Sequence, residues 1–170
     1  MVKRKYRPED LPKLLPKWAA GKITLKEIKG YTDEELFAIS RIAYFFLMQG
    51  KDEPARVLFE GLIAIDPRNP YYYRALGVIF HRLGDEERAL RQFTYALRLV
   101  PDATCAYLNR AEVFMARRQY ARAASDLRKA LQFAKPKDAV LARKARALYG
   151  VAMRRAAMEK PAADDKTAGA

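Results

Sequence analysis

From about residue 33 to about residue 157, apolar residues recur three and four apart, the spacing that lines one face of an α-helix. Tyr73, Leu76 and Phe80 stand at i, i+3 and i+7. Ala89 and Phe93 are four apart, and Leu141, Ala145, Leu148 and Ala152 form a further row. Glycine and proline break the rows at short intervals. The pattern predicts a first long helix from Thr32 to about Gln49. It then predicts helices over about 52–65, 70–83, 86–99, 104–117, 120–133 and 139–157. Thr32-Asp33-Glu34-Glu35 has the form of a capping box, threonine at N-cap and glutamate at N3. Gly84 falls just past a helix end, where a left-handed backbone costs glycine little. Pro101 has no N–H and stops the next helix. Asp138 stands where it could cap the last one. Connections this short make successive helices antiparallel.

The rows repeat. Moving back 34 residues from Tyr73, Leu76, Phe80, Gly84, Ala89, Phe93 and Pro101 reaches Ile39, Ile42, Phe46, Gly50, Ala55, Phe59 and Pro67. Moving forward by the same step reaches Tyr107, Arg110, Phe114, Arg118, Ala123, Leu127 and Lys135, with Pro136 one residue later. A two-helix unit of 34 residues with Leu-Gly, Ala, Phe and Pro at these offsets resembles the tetratricopeptide repeat (TPR). Gly77 has no Cβ, which lets the two helices of the middle unit approach closely. The expected fold is all-α: three tandem TPR hairpins in a right-handed superhelix, with an N-terminal extension and a C-terminal capping helix. The units fall at 36–69, 70–103 and 104–137, the capping helix at 138–157, the extension at 1–35 and a disordered tail at 158–170.

Within the extension, Pro8, Pro12 and Pro16 recur every fourth residue. Interior prolines remove helix hydrogen bonds, so an extended or broken segment is expected, with a short helix around 14–20. Gly21 and Gly30 bracket a helical turn that Thr24 can cap. The first six residues are basic but lead into Pro8-Glu9-Asp10 rather than an apolar core, so no signal peptide is read. No apolar run of about 18 residues appears, so no membrane span is expected and the chain reads as cytoplasmic.

In a TPR array the first helix of each unit lines the concave side. Positions 2, 5, 9 and 12 point that way: Phe37, Ser40, Tyr44 and Leu47; Tyr71, Arg74, Val78 and His81; Cys105, Leu108, Glu112 and Met115. A lining of aromatic and aliphatic residues with a few polar points suits an extended peptide with hydrophobic anchors. Some TPR co-chaperones clamp a peptide carboxylate with Lys, Asn and Arg at five set positions. Here those positions hold Ser40, Tyr44, Ala75, Cys105 and Asn109, so that clamp is absent. One histidine, His81, and one cysteine, Cys105, leave no metal set and no cofactor site. There is no nucleophile–base pair and no glycine-rich phosphate loop, so an enzyme is not expected.

Gly21-Lys22-Ile23-Thr24-Leu25-Lys26-Glu27-Ile28-Lys29-Gly30-Tyr31-Thr32-Asp33-Glu34-Glu35-Leu36 leads into the three repeats. With Ala43-Tyr44, Gly50-Lys51, Val57-Leu58-Phe59, Leu76-Gly77 and Ala111-Glu112, this order resembles the class II chaperones of bacterial type III secretion systems. The resemblance covers about residues 20–150. It implies a cytoplasmic chaperone that binds a hydrophobic translocator subunit through a Pro-x-Leu-x-x-Pro-type segment in the concave groove. It also implies a homodimer formed through the N-terminal region. Tyr44 and Leu47 match groove positions of that family, and Ser40 falls where it often has tyrosine. Pro12-Lys13-Leu14-Leu15-Pro16 is one residue short of the ligand pattern, although a proline-punctuated tail is the plainer reading.

Charge sets this chain apart. Members of that family are usually acidic, whereas the formal net charge here is +13. The third unit carries eight basic and two acidic side chains. Arg117, Arg118, Arg122, Arg128 and Lys129 cluster there without interleaved aromatic residues, so nucleic acid is not the expected partner. The alternatives are a TPR scaffold of another complex and a basic adaptor for RNA or an acidic partner.

Overall fold

The computed structural model describes residues 7–159. The basic start at 1–6 and the tail from 160 lie outside the described residues. Among those described, the helices are α1 (Leu11–Ala19), α2 (Leu25–Lys29), α3 (Asp33–Met48), α4 (Asp52–Ile65), α5 (Pro70–Arg82), α6 (Glu86–Leu99), α7 (Thr104–Ala116), α8 (Tyr120–Phe133) and α9 (Ala139–Glu159). No described residue lies in a strand. The three hairpins α3–α4, α5–α6 and α7–α8 fall where the repeat places them. The chain divides into two compact units, one ending at Leu99 and one beginning at Val100.

In the first unit, α3, α4, α5 and α6 pack in succession. Leu36, Ala43, Phe59, Leu62, Leu76, Ile79 and Phe93 are buried along these contacts. The small residues of the repeat set the spacing. A Cβ built on Gly77 would stand 2.6 Å from Cε1 of Phe93, well inside carbon–carbon contact. Gly50 and Gly84 adopt φ of +74° and +78° at the turn that closes each first helix. The Thr32 hydroxyl accepts from Glu35 N at 3.1 Å, and Glu35 Oε2 accepts from Thr32 N at 2.8 Å, which completes the expected capping box.

The extension is tied down by polar contacts. Thr24 and Glu27 form a second capping box at the start of α2. Lys26 bonds Asp33 and, at 3.1 Å, Asp66 at the end of α4. The hydrogen bond to Asp33 holds the Lys26 ammonium above its ordinary pKa, against the opposing effect of partial burial. The Arg68 guanidinium donates to the carbonyls of Gly21 and Lys22, each at 3.1 Å.

Two expectations for the flanks are corrected. Residues 8–19 are helical: a 3₁₀ turn at Pro8–Asp10 leads straight into α1. Pro12 occupies the first turn of α1, where its missing N–H has no partner to lose. Pro16 lies inside and removes one internal hydrogen bond, while its carbonyl still accepts from Ala20 N at 3.0 Å. This helix is not the extended conformation of a Pro-x-Leu-x-x-Pro ligand. Asp138, for its part, does not cap α9. It closes a 3₁₀ turn, Pro136–Asp138, and its carboxylate accepts from Lys135 N at 3.0 Å.

In the second unit, α8 packs against both α7 and α9. Ala111, Val113, Ala123, Leu127, Ala130, Ala145 and Ala152 are buried. Arg110 stands where the other units carry an aliphatic residue. Its Nε and Nη2 donate to the two carboxylate oxygens of Asp126 at 2.7 and 2.9 Å, so a bidentate ion pair replaces an apolar contact. Arg118 stands where the other units have glycine and takes the same left-handed backbone, with φ of +57°. On α9, Ala145 and Ala152 are buried while Arg143, Arg146 and Arg154 are exposed, the division expected of a capping helix.

Candidate functional site

The site in the first unit is built from α3 and α5. A pocket of about 570 Å³ is lined by Asp33, Glu34, Phe37, Ser40, Asn69, Tyr71 and Tyr72. Local chemistry places each wall. The Thr32 box starts α3, so Phe37 and Ser40 follow on its first two turns. Asn69 starts α5: its Oδ1 accepts from Tyr71 N at 3.0 Å, with Pro70 in the first helical position. Phe59 of α4 fixes the far wall. Its ring meets Tyr71 edge-on at 5.9 Å and Tyr72 at 6.4 Å.

Phe37 is 63% exposed and Tyr44, two turns on, is 48% exposed. Tyr71 is half-buried, and burial pushes its hydroxyl above the usual phenol pKa although the Arg74 charge opposes this. The Arg74 guanidinium lies 5.3 Å from the centre of the Tyr71 ring. Val78 is half-buried beyond it, as is His81, whose Nδ1 is buried without a hydrogen-bond partner. An apolar pocket with aromatic walls accepts a hydrophobic side chain, and the exposed Phe37 and Tyr44 rings extend that surface along α3.

The twelve residues chosen by repeat position do not all present surface. Ser40 is buried at the pocket, its hydroxyl donating to the Phe37 carbonyl at 2.8 Å. Leu47 is a core residue, 6% exposed. In the second unit Leu108 is likewise core, while Cys105 and Met115 are half-buried. The Glu112 carboxylate is engaged by Lys144 of α9. Repeat position fixes the helix face, but depth depends on how the next helix covers it.

Sequence reasoning missed Asp33, Glu34, Asn69 and Tyr72 as pocket residues. The Asn69-Pro70 helix start was the available signal for one of them. Elsewhere in this unit Leu11, Leu15 and Trp18 are exposed on one side of α1, the segment expected to pair two copies. Among the described residues no group of three or more His, Cys, Asp or Glu could hold a metal ion, and no helix is long and apolar enough to cross a membrane.

Fold and site together define a helical-hairpin repeat protein of tetratricopeptide type with an aromatic-lined pocket between its first helices. No protein-family model and no curated protein matches the sequence. Solved structures do match. A type III secretion complex from Aeromonas hydrophila superposes with a TM-score of 0.80 at 21% identity, over 87% of this chain and 99% of that one. PcrH of Pseudomonas aeruginosa, bound to the chaperone binding region of PopD, matches with a TM-score of 0.71 at 22% identity, over 75% of this chain and 97% of PcrH. The first TPR of Spaghetti (RPAP3), bound to an HSP90 peptide, matches with a TM-score of 0.61 at 19% identity, over 71% and 94%. At these identities the likeness is one of fold, and it includes type III secretion translocator chaperones.

Proposed function

We propose that this protein is a cytoplasmic chaperone that holds an extended hydrophobic segment of a type III secretion translocator subunit against α3 and α5. The observation that carries the reading is the open aromatic pocket of the first unit, beside the exposed Phe37 and Tyr44, on a fold shared with a type III secretion chaperone bound to a translocator peptide. Phe37, Tyr71 and Tyr72 would receive an apolar anchor, and Tyr44, Arg74 and Val78 would follow the chain beyond it. A Pro-x-Leu-x-x-Pro-type segment suits such a face because prolines pre-set an extended backbone and lower its ordering cost. Covering the partner's apolar surface keeps it from aggregating before export.

Co-expression with a candidate translocator subunit, a protein that carries apolar membrane-spanning stretches, tests the reading. The wild type is expected to copurify with it. Phe37→Glu and Tyr44→Asp alter exposed side chains, so both should keep wild-type helicity by circular dichroism and lose the complex. Copurification of both variants at wild-type yield overturns the proposal.

A further inference from the structure

The positive charge is concentrated in the second unit. Residues 100–159 hold thirteen lysines and arginines against five carboxylates, whereas residues 7–99 hold fifteen against thirteen. Three of the five carboxylates are already paired: Asp126 with Arg110, Glu112 with Lys144 and Asp102 with Lys135. A fourth, Asp138, accepts from Lys135 N. What remains is an uncompensated surface. On α8 it includes Arg122, Arg128 and Lys129, and on α9 Arg143, Arg146 and Arg154, all exposed. None of these six ion-pairs with a described carboxylate.

Two of these cations are held in place by neutral partners. The Arg122 guanidinium lies 4.5 Å from the centre of the Phe114 ring and donates to Gln119 Oε1 at 3.0 Å. Lys129 Nζ lies 5.5 Å from the centre of the Tyr107 ring. Such contacts restrict the side chains and leave their charge unneutralised, which lowers the ordering cost of an anionic partner.

Apolar groups narrow the class of partner. Val140, Val151, Met153 and Met158 are exposed on α9 among the arginines. No aromatic ring of α8 or α9 is exposed: Tyr120, Phe133 and Tyr149 are half-buried, so stacked bases would find no platform. The most apolar row of α9 is turned inward, with Ala145 and Ala152 fully buried, so the helix has no continuous face to insert into a bilayer. We infer that the exposed face of α8 and α9 is a second binding surface, separate from the aromatic pocket of α3 and α5, for an acidic polypeptide segment with interspersed apolar side chains.

The test uses the full chain and a labelled peptide of glutamates with interspersed leucines, followed by fluorescence anisotropy. The wild type should bind it, with affinity falling as salt rises. Arg128→Glu combined with Arg143→Glu, both at exposed positions, should weaken binding at least about tenfold at unchanged helicity. A peptide with the leucines replaced by serine should bind more weakly. Phe37→Glu should leave binding unchanged, which separates this surface from the pocket. The inference is overturned by any of four results: no binding by the wild type, wild-type affinity in the charge-reversal variant, loss of binding in Phe37→Glu, or tighter binding of an oligouridylate or of phosphatidylserine vesicles than of the peptide.

Discussion

Gly77→Ala and Gly61→Ala make the same chemical change in the middle of a helix, and the structure gives them opposite signs. Replacing an interior helical glycine by alanine gains about 1 kcal/mol in helix propensity. At Gly61 on α4 a new Cβ would meet nothing within 4 Å, so that gain is kept. At Gly77 the Cβ would stand 2.6, 2.8 and 2.9 Å from three carbons of the Phe93 ring. Carbon atoms in contact prefer about 3.5 Å or more, so the ring must retreat by about 0.9 Å. Phe93 is 1% exposed and has nowhere to go without separating α5 from α6. Overpacking of this kind costs about 1–3 kcal/mol, and a rigid buried ring puts it near the upper end. The net for Gly77→Ala is a loss of about 2 kcal/mol, a fall in Tm of roughly 4–8 °C for a chain of this size. Gly61→Ala should raise Tm by about 2–4 °C. Thermal melts by circular dichroism read both. Adding Phe93→Leu to Gly77→Ala should cost less than the two single changes together, because the clash is shared. A Gly77→Ala protein as stable as Gly61→Ala would refute the close-approach argument.

Two further outcomes follow from the second unit. Arg118→Gly places glycine at a left-handed backbone position and should stabilise the chain by about 1 kcal/mol, read as a higher urea midpoint at unchanged slope; a lower midpoint would show that the Arg118 side chain outweighs its backbone strain. Asp126→Ala removes both carboxylate oxygens from the Arg110 guanidinium and should cost about 2–3 kcal/mol, below the usual range for a buried pair because the Arg110 side chain is 17% exposed; a shift in Tm of less than about 1 °C would refute a structural role for the pair.

Much of the fold was readable because its constraints are local. Thr32 with Glu35, Gly84 at φ of +78° and the row Leu76, Phe80, Ala89 and Phe93 each act within a few residues or one hairpin, and the 34-residue step repeats them. The misreadings share a different cause. Pro16 counts against a helix by propensity, but α1 loses only one internal hydrogen bond there, too little to unwind it. Asp138 has the side chain of an N-cap, yet a preceding proline turn claimed its carboxylate. At the site, repeat position picked out Phe37, Ser40 and Tyr71, which line the pocket of α3 and α5. It could not tell Leu47 from Tyr44, one 6% and the other 48% exposed, because that difference is set by how the following helix covers each position.

The third repeat departs from its neighbours at Arg110 and at Arg118, and the two departures differ in kind. Arg110 replaces an aliphatic residue in the packed interior, and its charge is answered by Asp126 at 2.7 and 2.9 Å. A buried charge must be answered in this way, because its desolvation is otherwise too costly. Arg118 and the cations of α8 and α9 are exposed and carry no such requirement. Folding therefore explains the first departure and leaves the second free. In the first unit that freedom is used less: exposed Arg82 pairs with Asp52, Arg88 with Asp85 and Arg91 with Glu87, and half-buried Arg56 pairs with Glu53 and Glu60. A chain that pairs most of its exposed arginines in one unit, Arg41 and Arg98 excepted, and leaves those of α8 and α9 without ion pairs in the next has a charge division that packing does not dictate. That division makes the face of α8 and α9 a matter of binding rather than of fold.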